Sequence, residues 1–305
     1  MVVCSSLDLQ SLEEPMAAVE RVSTAAEDDG LRASLRTMWA SVATSWGELA
    51  EHVDAQGAVV AQAMLDLAGL QCGERVLELA CGPGGVGMAA AAIVGPDGAV
   101  VLSDIAPGMT AIAAERARNA GLKNVTTREV DLERIDYPEA AFDKVLCRDG
   151  LMLVPDPASA AREVSRILRL DGRAVFAVWG PRDRNPWLGL LFDAITAQTG
   201  SPVPPPGIPG PFSLEAPGAL GELLAGSGFS EINVREISTS MKVSSVDEWW
   251  SVVPSLAGPI SRLLGSLPAE MNAAIRARVD MAMADFGTPD GYELPRVSIL
   301  GVGRR

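Results

Sequence analysis

The stretch that most constrains this chain is Arg75 to Val94, "RVLELACGPGGVGMAAAAIV". It reads as a short apolar strand, a glycine-rich turn and a helix of small residues. A strand with apolar side chains on both faces must be covered on both faces. The same alternation then repeats. "AVVLSDI" (99–105) is a second buried strand, and "PGMTAIAAERARNAGL" (107–122) is a helix opened by proline and closed by glycine. Strands follow at 124–132, 142–151 and 173–180, with an amphipathic helix predicted over 159–172. Such alternation predicts an α/β fold built on a doubly wound, mainly parallel, seven-stranded Rossmann-like sheet.

The flanks differ in pattern. Residues 1–30 are acidic and rich in Ala and Ser, as expected of a flexible leader. Residues 31–70 carry apolar residues at helical spacing and are expected to form a lid of N-terminal helices. Residues 71–180 hold the ligand-binding core. Residues 181–305 supply the last strands, near 231–243 and 292–305, and a helical cap inserted near the C-terminus. A cap placed there lies over the carboxyl edge of the sheet, where α/β proteins bind ligands.

Charge narrows the partners. Lys and Arg total 25 against 39 Asp and Glu, a net −14, which repels nucleic acid and anionic membrane. Cys4, Cys72, Cys81 and Cys147 show no C-x-x-C spacing and read as free buried thiols in a reducing cytoplasm, with no metal site. The first residues lack the basic and apolar regions of a signal peptide, and no apolar run reaches membrane-spanning length. A cytoplasmic monomer or homodimer acting on a small molecule is expected.

Gly82 to Gly87 match G-x-G-x-x-G, which alone does not separate a dinucleotide from other adenine-containing ligands. Glu78, inside the preceding strand, helps more. A carboxylate beside a pyrophosphate is unfavourable, and beside a cation it is useful.

With that acid, "VLELACGPGG" resembles motif I of the class I S-adenosylmethionine-dependent methyltransferases. "SDIAPGMTAIAAERA" resembles the family's second motif. "REVDLERIDYPEAAFDKVLCRDGLMLVPDP" and "ILRLDGRAVFAVWG" resemble later stretches of ubiquinone/menaquinone-type methyltransferases and their small-molecule relatives. The resemblance runs from about Arg75 to Gly180, and more loosely to the C-terminus. It implies S-adenosylmethionine as cofactor. Glu78 would lie near the methionine end, as a ligand contact or as a structural acid. Ala80, Gly82 and Gly84 would form the loop against the ligand. Asp104 would accept the ribose hydroxyls, with Ile105 and Met109 on the adenine. Asp131 would accept the adenine amino group, Leu132 would offer its backbone N–H, and Arg148 would face the methionine. The sequence departs from the family at Asp149 and at "RLDGR", where relatives carry Pro-Gly-Gly.

Methyl transfer is an in-line displacement that needs a base only for an acceptor with a poorly acidic proton. His52, the one histidine, is the first candidate base, and Asp149 the second. Trp39, Trp46, Met152, Trp179, Trp187 and Trp249 fall in segments placed to line or cover an acceptor, which suits an apolar or aromatic metabolite. O-methylation is the first expectation and C-methylation the second, in a specialised-metabolism setting. A non-methylating rearrangement or cyclisation on the same fold stays open, as do an oxidoreductase and, against the charge, a nucleic-acid methyltransferase.

Overall fold

The computed structural model describes residues 25–305. Most of the acidic leader lies outside the described residues. Helix α1 (Ala25–Ser41) is followed by α2 (Ala43–Glu48) and α3 (Ala50–Ala68). Then come β1 (Arg75–Leu79), α4 (Gly85–Val94), β2 (Ala99–Asp104), α5 (Pro107–Asn119), β3 (Val125–Glu129) and β4 (Phe142–Arg148). Next are α6 (Pro157–Ile167), β5 (Leu168–Trp179), α7 (Pro186–Thr199), α8 (Ala219–Gly226) and β6 (Ser230–Val243). The chain finishes with α9 (Val246–Leu256), α10 (Gly258–Ser266), α11 (Ala269–Met283), β7 (Gly287–Thr288) and β8 (Gly291–Arg304).

The strands form one sheet in the order β3-β2-β1-β4-β5-β8-β6. β1 to β5 are parallel, and β8 lies antiparallel between β5 and β6. The sheet has eight strands where seven were predicted, because the two residues of β7 make a hairpin with the start of β8. From β1 the chain winds outward through β2 and β3, then returns to β4 on the other side. The β1/β4 junction is therefore the switch point of the winding, and the carboxyl ends of the strands open a crevice there.

Each face of the sheet has its own core. On one side Ala160, Val164, Leu220 and Leu224, from α6 and α8, pack on Leu77, Val145 and Phe176. On the other, Val60, Met64 and Ala68 of α3 join Ala90 and Val94 of α4 against Val76, Leu146 and Val175. The second half of α3, read in the sequence as lid, is thus part of the sheet's covering layer. Helix starts follow local chemistry. Pro107, Pro157 and Pro186 stand at the first helical turns, and the Asp156 carboxylate accepts the Ser159 N–H at 2.9 Å to cap α6.

Two boundaries differ from the pattern-based expectation. The helix predicted to reach 172 stops at Ile167, because Leu168 pairs with Phe142 and "RLDG" then forms a bulge before Arg173 pairs with Lys144. Asp171 takes a left-handed φ of 68° there. The sequence reading assigned no helix to α7. Its Leu188, Leu191, Phe192, Ala194 and Ile195 are all buried, so it lacks the polar stripe that periodicity detects.

The cap is α7 with α9, α10 and α11, packed around Trp249, Ile275, Val279 and Met283. Asn185 bolts it to the sheet. Fully buried, its Nδ2 donates to the carbonyls of Gly180, Pro181 and Val297 at 3.0–3.1 Å. Its Oδ1 accepts the Val297 N–H at 3.0 Å and the Trp187 indole N–H at 3.1 Å. Asn185→Ala leaves buried backbone groups unpartnered. A loss of about 3 kcal/mol is expected, read as a lower midpoint in urea unfolding.

Candidate functional site

A cavity of about 240 Å³ opens over the carboxyl edge of the sheet. It runs along the strand ends, from Asp104 on β2, past Glu78 in β1 with Ala80 just beyond it and Arg148 at the end of β4 with Asp149 just beyond it, to Trp179 on β5 and Arg296 on β8. Helix α3 roofs it with His52, Val53, Gln56 and Gly57, and α9 closes the far side with Val252 and Val253. Adjacent strands lie about 4.8 Å apart, so the two ends are several strand steps from each other.

The glycine loop forms the first end. Gly82 has φ 51°, a region open to glycine at little cost, and the nearest atoms beyond it belong to the Trp46 ring. The Gly82 N–H donates to Asp104 Oδ2 at 3.0 Å, and the Ala106 N–H to Oδ1 at 2.9 Å. Burial pushes the Asp104 carboxyl up, and these bonds pull it back. Each oxygen keeps a further lone pair for a second donor. Glu78 Oε2 accepts the Gly87 N–H at 2.8 Å. Burial raises the Glu78 carboxyl to about 8, against the pull of Arg148. Ile105, Met109 and Leu132 line the same end.

Asp131 also faces the cavity, and it is already engaged. Its Oδ1 accepts the Glu133 N–H at 2.9 Å, and its Oδ2 lies 3.8 Å from Arg32 Nε. Arg32, which no motif points to, reaches from α1 to Asp131 and Glu133 and so ties α1 to this end. Gly84 does not line the cavity. It caps α4 with φ 87°, and a Cβ there would meet Leu102 at 2.8 Å and Ala113 at 3.1 Å, so it serves helix-to-strand packing.

Four tryptophans line the cavity, and they divide between its two ends. Trp39 and Trp46, predicted to meet the acceptor, pack with Val42, Ala43, Ala106 and Met109 beside the glycine loop. Trp46 is fixed by its indole N–H to the Leu256 carbonyl at 3.0 Å. Trp179 and Trp187 stand at the opposite end with centroids 4.9 Å apart, and Met152 Sδ accepts the Trp179 N–H at 3.3 Å. Trp249 does not reach the cavity. It is fully buried in the cap, where its indole N–H holds the Trp187 carbonyl at 3.0 Å.

Both candidate bases face the cavity. His52 Nε2 and Asp149 Oδ1 are buried with no hydrogen-bond partner among the described residues. Asp149 has φ 58° and Ala80 φ 50°, two strained non-glycine positions that flank the crevice. Burial raises the Asp149 carboxyl to about 6, while Arg148 and Arg296 draw it down. Arg296 and Gln56 were not predicted. Among the thiols, Cys81 and Cys147 are buried and shifted upward, but Cys72 is exposed, and Cys4 lies outside the described residues. Among the described residues, no His, Cys, Asp and Glu cluster is placed to hold a metal, and no helix is long and apolar enough to cross a membrane.

Comparison with known proteins agrees with this geometry. A family model for a methyltransferase domain matches residues 70–183. Nocamycin O-methyltransferase from Saccharothrix syringae is 33% identical over 193 residues, 60% of this chain and 68% of that protein. A ubiquinone/menaquinone biosynthesis C-methyltransferase from Ectopseudomonas mendocina is 34% identical over 130 residues, 42% of this chain and 50% of that protein. The YcgJ protein of Bacillus subtilis shares the fold, with TM-score 0.56 at 19% identity over 80% of this chain and 97% of that one. The chain belongs to the class I S-adenosylmethionine-dependent methyltransferases.

The site fits the family's cofactor. Asp104 has acceptor capacity left for a vicinal diol, and Gly82 lines the cavity beside it. Two buried carboxylates, both pushed upward, favour a ligand that brings positive charge. Asp104→Ala should weaken S-adenosylhomocysteine about 100-fold by calorimetry, since it also frees two buried N–H groups. Glu78 has a second signature. Its folded value is raised, so the fold favours the protonated form and loses stability as pH rises from 4.5 to about 8. The ligand-free Glu78→Gln protein should therefore melt increasingly above the wild type across that window, while binding S-adenosylmethionine more weakly. Parallel melting curves would refute this.

Proposed function

We propose that the chain transfers the methyl group of S-adenosylmethionine to an oxygen of a small, apolar or aromatic metabolite, with carbon the second choice of acceptor atom. The observation that carries this is the single cavity joining the glycine loop to the Trp179–Trp187 pair. Met241, Val252 and Val253 give its far end apolar walls. The O-methyltransferase relative supports the first choice and the C-methyltransferase relative the second. Both are named for methyl transfer, which favours that chemistry over a rearrangement or cyclisation.

Bound at the glycine-loop end, the cofactor supplies a methyl carbon already activated by its sulfonium. The work left to the chain is to orient the acceptor, keep water out and receive a proton. We assign the proton to Asp149 ahead of His52. Asp149 sits at the sheet edge between Arg148 and Arg296 with a free, buried Oδ1. A carboxylate with a value of about 6 is ionised at neutral pH and more basic than an exposed one. His52 lies on the roof, within electrostatic reach of Glu248 on α9.

Incubation with methyl-labelled S-adenosylmethionine and an organic extract of the source cells tests the reading. Label in an O-methyl product is expected. Tight S-adenosylhomocysteine binding with no labelled product would overturn it. Ionised Asp149 is the active form, so turnover should rise with pH through about 6. Asp149→Asn should cut kcat about 100-fold and flatten that rise. An unchanged profile would shift the role to His52.

A further inference from the structure

Arg296 is the cation that this site does not yet explain. It projects from the start of β8 into the acceptor end of the cavity. Its guanidinium carbon lies 4.9 Å from the ring centroids of both Trp179 and Trp187. The two indoles, tilted by 58°, hold it in place. Asn185 fixes the arrangement, binding the Trp187 indole N–H and the Val297 N–H next to Arg296. Nη1 reaches the lid through long bonds, to the Gln56 carbonyl at 3.3 Å and to Gln56 Oε1 at 3.4 Å. Those bonds explain Nη1 as a latch. They leave Nε, which is buried and has no partner among the described residues.

A buried N–H of a charged group left without an acceptor is costly. Asp149 Oδ1, close enough to feel the Arg296 charge, is unpartnered as well. One unpartnered donor and one unpartnered acceptor of opposite charge thus belong to residues that line the same cavity. A neutral apolar acceptor would satisfy neither. A flat molecule carrying an acidic hydroxyl satisfies both, and its ring completes the stack begun by the tryptophans.

Resting on the methyltransferase reading above, we propose that the acceptor is a planar conjugated acid, phenolic or carboxylic, whose oxygen Arg296 holds as an oxyanion. In the step, a phenolic acceptor's O–H breaks, its electron pair stays on oxygen and its proton passes to the Asp149 carboxylate, whereas a carboxylic acceptor arrives already ionised. An oxygen lone pair then forms the new O–C bond as the methyl carbon's bond to sulfur breaks, with that pair returning to sulfur. S-adenosylhomocysteine and a neutral methyl ether or ester leave, and after a phenolic acceptor Asp149 releases its proton to water. Loss of charge in the product also weakens its hold on Arg296, which favours release.

Quenching of tryptophan fluorescence tests this with two probe pairs, 2-naphthoate against methyl 2-naphthoate and 2-naphthol against 2-methoxynaphthalene. Each is measured with and without S-adenosylhomocysteine. The acid of at least one pair should bind about tenfold or more tightly than its methylated partner, and the pair that discriminates tells carboxylic from phenolic acceptors. Arg296→Met should erase the preference, and Arg296→Lys should reduce it, since an ammonium lacks the flat stack. Equal binding of acids and methylated partners by the wild type overturns the proposal, and so does a preference that survives in Arg296→Met. If Arg296→Met does not fold, Arg296→Lys and the wild-type comparison still decide. Failure of S-adenosylhomocysteine to bind, measured separately by calorimetry, would sink the methyltransferase reading, while the probes without it still decide the anion preference.

Discussion

The carboxylate of Asp104 holds two loops that would otherwise diverge. It ends β2, and it accepts one N–H from the loop after β1 and one from the turn into α5. The positive φ of Gly82 and the start of α5 both follow from that pairing. A buried carboxylate without a cation is a strained arrangement in energy, and a ligand that brings donors relieves it. The site is therefore built at some expense to the free protein and made good on binding. Glu78 repeats the logic one strand away, on the floor of the same crevice.

The other end of the cavity is assembled from parts far apart in sequence. β5 gives Trp179, the turn into α7 gives Trp187, β8 gives Arg296 and α3 gives Gln56. Trp249 and Asn185 touch no ligand space, yet they hold the Trp187 carbonyl and indole N–H respectively. Cap packing and acceptor geometry are one problem here. Disturbing the cap core would first be felt as a misplaced Trp187.

The strands β1, β2 and β5 were legible because they are apolar on both faces and lie next to helical segments, a pattern few folds produce. Glu78, Gly82 and Asp104 were legible because they sit inside local motifs. Arg296 was not. In "YELPRVSILG" it alternates with apolar neighbours, as any half-exposed strand residue does, and its direction depends on β8 running antiparallel beside β5. Arg32 and Asn185 look like ordinary helix and loop residues until the chain brings them to their partners. The tryptophans misled in a different way. Their place in lid and cap segments was readable, but which end each one faces depends on the tertiary packing of α2 on α5 and of α9 on α7.

Helix α3 has two occupations along one rod. Val60, Met64 and Ala68 are wedged into the sheet's covering layer, while His52 to Gly57 roof the cavity. At Gly57 and Gly85 the roof sits so low that a Cβ would collide with the Arg148 and Asp54 side chains. Asp54 is also paired with Arg116, which grips the Pro83 carbonyl at 2.8 Å. A rod anchored in this way ties the height of the roof to the packing of the sheet. Helices α1 and α2 rest on the site beside it, through the Arg32 contacts and the Trp39–Trp46 pair. The ceiling is masonry, keyed into the wall that carries it.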